Sequence, residues 1–122
     1  MTGQRGSVSV LLAVGILIVL VLTMGVADVG EVLLARSRAR AAADAAALAA
    51  ADELALPTGA DPGALAAEYA ARNGATLTAC KCDVGTFEAD VAVTVHVDGL
   101  LLFAGARDAV ARARAVVDLP TG

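Results

Sequence analysis

The side chains that could carry covalent or metal chemistry are few in this sequence. His96 is its one histidine, and Cys80 and Cys82 are its two cysteines. A Ser–His–Asp triad needs a nucleophile and a carboxylate around the histidine, and a zinc site needs several histidine or cysteine ligands. With so small an inventory, we expect no catalytic residues, no metal site and no cofactor. His96 is expected to be solvated on the polar face of a strand.

The two cysteines are the more specific chemical signal. Only Lys81 separates Cys80 from Cys82, so both point to the same face if the segment is a strand. Cysteines two apart in a strand do not comfortably bond to each other. In an oxidising compartment they could instead form a structural disulfide or one with a partner chain, or one of them could be a plain small apolar residue. Both are therefore candidates for a disulfide.

Composition excludes one class of partner and limits stability. The net charge is −4, and the nine basic residues form no run of the kind that binds nucleic acid. Hydrophobic residues fill 58% of the 122 positions, but many of them are alanines, with only two Phe, one Tyr and no Trp. Alanine buries little apolar area, so the soluble part is expected to be weakly stable alone. We therefore expect it to depend on a membrane, a partner or an oligomer.

The elements that position these residues start with a long apolar segment. Residues 6–27 contain no charged side chain and are dominated by Val, Leu and Ile. As a helix, this segment reaches roughly 33 Å, which is enough for the ~30 Å hydrocarbon layer of a bilayer. The sequence predicts a single-pass protein of the cell membrane. Basic residues flank both sides of the span, so charge alone does not decide its orientation. The short N-terminal tail and the exported character of the later sequence favour residues 1–5 as a cytoplasmic tail and an extracytoplasmic C-terminal domain.

The same segment leaves a second interpretation open. Gly25, Val26 and Ala27 form a small-x-small triplet, after which a signal peptidase could cut between Ala27 and Asp28. The apolar run is longer than the roughly 7 to 15 residues of a usual signal-peptide core, which favours a permanent anchor. Cleavage at that bond would release a small secreted binding or effector protein.

Helical sequence continues beyond the predicted span. Residues 28–55 contain no proline and are rich in alanine, so they predict an alanine-rich helical stalk. Small alanine side chains suit the close approach of neighbouring helices. Asp28, Glu31 and Arg36 follow the apolar run and are expected to mark the membrane interface or to contact a partner helix.

A short second helix is predicted after a loop. Residues 56–63 are rich in Pro and Gly and interrupt the stalk. Asp61 is expected to cap a helix that opens at Pro62 and runs to about Arg72, where Asn73 and Gly74 stop it. This helix opens the predicted extracytoplasmic head of residues 64–122.

The rest of the head predicts a small sheet. Residues 87–98 alternate with a period of two, which places Phe87 and the following valines on one face. Residues 76–82 are expected to form the preceding strand, and residues 111–117 a third strand or a short helix. The predicted fold class is α+β, with an antiparallel sheet of two or three strands that the second helix or the stalk covers.

Four segments together resemble one family of proteins. They are Arg5-Gly6-Ser7 before the apolar helix, RARAAADAAALAAAD after it, NGATLTAC at the start of the sheet, and the arginine-alanine end. The chain thereby resembles the TadE-like and TadG-like proteins of Flp pilus (Tad secretion) systems. Within them it is most similar to the actinobacterial branch known as helicase/secretion neighbourhood TadE-like.

The resemblance implies a pilin-like fold and a role in assembly rather than catalysis. It implies a pseudopilin or membrane-anchored component, whose partners are the lipid bilayer, other TadE-like or pilin-like membrane proteins, or copies of itself in a homo-oligomer. In pilin-like members a prepilin peptidase cuts after a glycine near the helix start, which corresponds here to the bond between Gly6 and Ser7. Such members usually carry a glutamate five residues past the cut, where this chain has Leu11.

Overall fold

The computed structural model of the protein describes residues 3–102 and 107–120, in which it contains two helices and three strands. In chain order the elements are α1 (Gly3–Ala55), α2 (Pro62–Arg72), β1 (Thr76–Lys81), β2 (Glu88–Val97) and β3 (Arg107–Val116). The α+β class, the short second helix and the antiparallel sheet predicted from the sequence are confirmed.

The helix α1 runs for 53 residues because no proline interrupts it. Residues 6–27 of α1 leave their apolar side chains exposed, and 0% of the most apolar stretch is buried inside the described chain. By length and composition, α1 is the one helix in the described residues that could cross a membrane. The predicted long apolar helix is therefore confirmed, and it continues without a break into residues 28–55.

The second half of α1 forms one wall of the core. Its buried apolar face consists of eight alanines and a leucine, namely Ala35, Ala39, Ala42, Ala43, Ala46, Ala47, Ala50, Ala51 and Leu54. This face packs against α2, β2 and β3. The globular part of the protein consists of residues 35–55 of α1, the helix α2 and the three-stranded sheet. Because an alanine side chain ends at Cβ, the α1 backbone lies close to the sheet. The alanines expected to contact neighbouring helices are thus covered by the chain's own α2 and sheet.

The central strand of the sheet is β2, which pairs antiparallel with β1 on one side and with β3 on the other. Its inner face is buried against the helices and consists of Ala89, Val91, Val93, Val95 and Val97. The predicted alternation is confirmed for these residues. Phe87 was expected on the same face, but β2 begins at Glu88, and Phe87 lies before it with 44% of its surface exposed.

The last segment, expected to be a third strand or a short helix, is the strand β3. Ala113 pairs with Val91, and Arg114 pairs with Asp90, so alanines alternate with arginines between the inner and outer faces of the sheet. On the outer face the Arg114 guanidinium forms ion pairs with Glu88 and Asp90. Cross-strand pairs of opposite charge favour a strand over a helix here.

The helix α2 begins and ends at the residues that the sequence indicated. The Asp61 carboxylate accepts hydrogen bonds from backbone N–H groups of the first turn, and Pro62 supplies a residue that needs no such partner. Asn73 and Gly74 end the helix, and Gly74 has a φ of +74°, a left-handed conformation that glycine adopts readily. The predicted bounds of α2 are confirmed.

Enlarging one buried alanine tests the close packing of α1 on the sheet. We expect Ala46→Leu to lower the free energy of unfolding by about 1 to 3 kcal/mol, because the fully buried Ala46 leaves no room for the added carbons. Ala41→Leu, on the exposed side of α1, is the matched control and is expected to change it by less than about 0.5 kcal/mol. Urea unfolding in detergent, followed by circular dichroism, measures both. Equal effects would contradict the packing.

Candidate membrane-interface and assembly site

Asp28 joins the end of the apolar segment to a loop of the globular part. It is the first charged residue after that segment, and only 2% of its surface is exposed. Its Oδ1 accepts a hydrogen bond from the backbone N–H of Leu101, and its Oδ2 accepts one from Leu102, both at 2.7 Å. Such charge-assisted hydrogen bonds are among the stronger polar contacts in proteins. Asp28 therefore fixes this loop against α1.

The loop that Asp28 holds follows β2 and comes back to the apolar segment of α1. Gly99 has a φ of +77°, which allows the chain to turn sharply after β2. Leu102 then contacts α1, since its Cδ1 lies 3.5 Å from the position that a Cβ would occupy on Gly25. Leu101 and Leu102 remain 63% and 42% exposed. A short apolar loop thus lies beside the last turns of the apolar segment.

Two of the three residues predicted at the interface line one cavity. Its lining consists of Asp28, Val29, Val32, Leu33, Arg36, Leu100 and Arg107. Glu31 is exposed on α1 and does not belong to this lining. Arginines beside apolar walls are typical of the boundary between a membrane span and water. The sequence indicated Asp28 and Arg36 by their position after the apolar run, but not that a loop more than seventy residues later completes the site.

The two candidate cleavage positions differ in their surroundings. Gly6 and Ser7 lie near the start of α1, and both are exposed. Ala27 is exposed as well, but Asp28 next to it is buried and bound to the loop after β2. A peptidase must reach and extend the bond that it cuts. The bond between Gly6 and Ser7 is therefore the more accessible one, and cleavage at either position stays a prediction.

Cys80 and Cys82 are bonded to each other, which corrects the expectation that they would not pair directly. That expectation assumed an extended strand through both residues. In the structure β1 ends at Lys81, so Cys82 has already left the strand, and the two Cα atoms lie 5.5 Å apart, within the usual range of disulfides. The bond closes the start of the turn to β2. With both cysteines used, the described residues offer no free thiol to a partner chain.

His96 lies between two carboxylates on the outer face of the sheet. Its Nδ1 is 2.6 Å from Oδ1 of Asp108 on β3, and its Nε2 is 2.9 Å from Oδ1 of Asp98. The hydrogen bond to Asp108, followed by the charge of Asp98, raises the pKa of His96 above its usual value. The alternation along β2 predicted that His96 would be exposed. It could not predict the contact with Asp108, because that contact depends on the register between β2 and β3. No group of side chains suited to a metal ion occurs among the described residues.

The pairing of His96 predicts a stability that falls as the pH rises. Because the folded-state pKa is raised, the protonated ring stabilises the hairpin fully below its ordinary pKa of about 6.5. This contribution is lost as the pH rises through the raised value. We expect His96→Gln to flatten that part of the pH profile of the urea midpoint, while Thr94→Gln on the same face keeps it. An unchanged slope in His96→Gln would exclude the pairing as its source.

Glu53 is a second buried carboxylate, and it holds the loop between α1 and α2. Its Oε1 accepts hydrogen bonds from the backbone N–H groups of Thr58, Gly59 and Ala60 at 2.6, 3.0 and 3.0 Å. Its Oε2 accepts one from the Thr58 hydroxyl at 2.7 Å, which is the largest cause of a lowered pKa for Glu53. The sequence predicted the loop but not this acceptor. Glu53 fixes the direction in which α2 leaves α1.

These features define a class of protein, in which a small α+β part is built on one half of a helix whose other half is an exposed apolar candidate span. The chain matches the Flp pilus-assembly TadE/G-like family over residues 6–53, all of them in α1. Within α1 the match bears out the resemblance to TadE-like and TadG-like proteins and supports involvement in Tad pilus assembly, while the NGATLTAC segment and the arginine-alanine end lie outside the matched residues. No curated protein and no solved structure matches the chain.

Proposed function

We propose that this protein is a pseudopilin-like component of Flp pilus assembly or Tad-type secretion. It is anchored by a single span of residues 6–27, with residues 1–5 in the cytoplasm and the globular part outside. It acts by packing its helix against other membrane proteins of the same kind, and not by catalysis. The observation that carries the proposal is the family match over residues 6–53, since that match falls on both the apolar half and the alanine-rich half of α1.

The apolar half of α1 supports helix packing as the mode of action. Its side chains face outwards from the chain, and Gly15 has open space around it. In lipid, small residues allow two helix backbones to approach closely, and such contacts drive association where the hydrophobic effect cannot. This half of the helix therefore suits both lipid and a neighbouring helix.

The outer side of α1 beyond the span supports the same mode of action. Leu34, Ala41 and Leu48 recur every seven residues, and all three are exposed; the two leucines are exposed by 46% and 59%. A seven-residue repeat keeps one helix face turned towards a partner helix. The partners proposed are therefore other TadE-like or pilin-like proteins, or a second copy of this chain.

N-terminal sequencing of the protein from washed membranes tests the anchor. We expect a membrane-bound protein that begins either at its original N-terminus or at Ser7, the latter if a prepilin peptidase cuts after Gly6. A Gly6→Leu variant is expected to abolish a cut at Ser7 and leave the protein in the membrane. Recovery of the protein only in soluble form with Asp28 as its first residue would overturn the proposal in favour of a secreted protein.

Site-specific photo-crosslinking tests the assembly. A photoreactive amino acid at Leu48, on the exposed side of α1, is expected to capture a pilin-like protein or another copy of this chain. The same group at Thr78, exposed on the sheet, is the matched control and is expected to capture little. Equal capture at both positions would contradict a partner surface on α1.

A further inference from the structure

We propose that the loop after β2, residues 98–102, is a second membrane contact that inserts Leu101 and Leu102 into the hydrocarbon beside α1. This inference rests on the span of the proposed function. The occupant of the apolar surface formed by the two leucines is lipid, on the side of the bilayer where the globular part lies. The protein is then held to the bilayer at two points rather than one.

The depth of the loop follows from the geometry of α1. The uncharged segment ends just before Asp28, which places one boundary of the hydrocarbon near that residue. Leu102 contacts Gly25, which lies roughly 4.5 Å below Asp28 along the helix. The groove that Leu102 lines extends to Val21, roughly 10 Å below Asp28. Leu102 therefore lies on the hydrocarbon side of Asp28, within about one helix turn of the boundary.

Asp28 removes the main obstacle to placing an irregular loop in lipid. Backbone N–H groups that enter hydrocarbon need a partner within the protein, because lipid offers none. The carboxylate of Asp28 provides that partner for Leu101 and Leu102, with both bonds at 2.7 Å. A carboxylate near hydrocarbon is itself costly unless hydrogen bonds stabilise it. The two hydrogen bonds thus supply the loop amides with an acceptor and the carboxylate with donors.

The surface that the loop presents is continuous with the surface of the span. Leu101 is 63% exposed and Leu102 42%, while Val26 and Val29 on the adjoining helix are 74% and 54% exposed. In water this joint apolar surface is unfavourable, whereas in hydrocarbon it is favourable. The lipid that surrounds the span therefore also covers the loop.

Charged residues flank the apolar residues of this surface along the chain. Asp98 is the first residue of the loop, with 78% of its side chain exposed, and Arg36 and Arg107 line the same cavity as Asp28. On α1, Asp28 is likewise the first charged residue after the uncharged run of residues 6–27. Charged residues next to an apolar surface are typical of the boundary between hydrocarbon and headgroups.

Tryptophan fluorescence tests the depth, because the chain contains no tryptophan. We expect Leu101→Trp, in the full chain at low density in phosphatidylcholine vesicles, to be quenched by bromines placed near the headgroup end of the acyl chains. Leu48→Trp, exposed on α1 roughly 30 Å beyond Asp28, is the matched control and is expected to stay unquenched. Leu17→Trp, midway along the span, is expected to be quenched best by bromines near the chain ends.

The three variants separate failure of the loop contact from failure of the span. Quenching of Leu17→Trp without quenching of Leu101→Trp overturns the loop contact and leaves the span intact. Absence of quenching in both overturns the span and with it the proposed function. A blue-shifted but unquenched Leu101→Trp indicates cover by protein, such as a second copy, and also overturns the lipid contact.

A second variant tests how the loop is held. Asp28→Ala in the Leu101→Trp background is expected to lose most of the shallow quenching, because the two loop amides lose their acceptor. Asp44→Ala in the same background keeps the quenching, and circular dichroism confirms that both variants retain their helix content. Unchanged quenching in a folded Asp28→Ala variant would overturn the role of Asp28 in placing the loop.

Discussion

Asp28→Ala is expected to lower the free energy of unfolding by about 3 kcal/mol and to release the loop at Leu101 and Leu102. The substitution removes two hydrogen bonds to a charged, buried acceptor. It leaves the two backbone N–H groups without that acceptor at a poorly hydrated position, which adds the cost of desolvation. Hydrogen exchange in detergent micelles measures the release as faster exchange of the Leu101 and Leu102 amides.

Two further variants show whether the effect belongs to the hydrogen bonds. Asp44→Ala removes an exposed carboxylate from the same helix and is expected to change stability by less than about 0.5 kcal/mol. Asp28→Asn keeps one carbonyl acceptor and is expected to fall between wild type and Asp28→Ala. If the two amides exchange equally fast in Asp28→Ala and wild type, the bond between loop and helix is not what protects them.

Glu53→Ala is expected to loosen the connection between α1 and α2. Three backbone N–H groups and one hydroxyl lose their common acceptor, so the loop no longer has a fixed conformation. The expected results are a large fall in the urea midpoint and faster hydrogen exchange at Thr58, Gly59 and Ala60. Asp52→Ala, an exposed carboxylate one residue earlier, is the matched control and is expected to leave both quantities nearly unchanged.

The same carboxylate predicts a loss of stability in acid. The pKa of Glu53 is lowered, first by the Thr58 hydroxyl, so its contribution is complete above the ordinary value of about 4.5 and is lost as the pH falls through the lowered value. Glu53→Gln is expected to be less stable at neutral pH and to lack this acid loss. Its direction is opposite to that of His96, which separates the two groups in one titration. An acid loss that persists in Glu53→Gln would assign it to other carboxylates.

The secondary structure was predictable wherever it follows a local rule. Asp61 and Pro62 at the start of α2, with Asn73 and Gly74 at its end, are short-range signals, and α2 lies where they indicate. The valines of β2 alternate with polar residues because one face is buried, and that period identified the strand. The uncharged run of residues 6–27 likewise predicted a long apolar helix.

The site depends on pairs that no local rule connects. Asp28 follows an apolar run and was expected at an interface, but its bonded partners lie 73 and 74 residues later. His96 was correctly expected to be exposed, yet Asp108 came next to it only through the register of β2 with β3. Both contacts are products of chain topology, which periodicity does not encode.

Two predictions were wrong for the same reason. In each case the strand is shorter than the segment whose sequence suggested a strand. Cys82 was treated as a strand residue, but β1 ends at Lys81, and this allows the bond between Cys80 and Cys82. Phe87 was placed on the inner face of β2, but the strand begins one residue later. Alternation identifies the middle of a strand well, and turn geometry decides its ends.

The continuity of α1 couples the two parts of the protein mechanically. A helix of 53 residues is roughly 80 Å long, and it contains no proline at which it could hinge. The apolar segment forms one end of α1, and α2 and the sheet pack against the other end. An axial thrust or a torque applied to the span is therefore delivered to the sheet as a rigid-body displacement. Pulling the span out of lipid would therefore displace the strands by a similar distance.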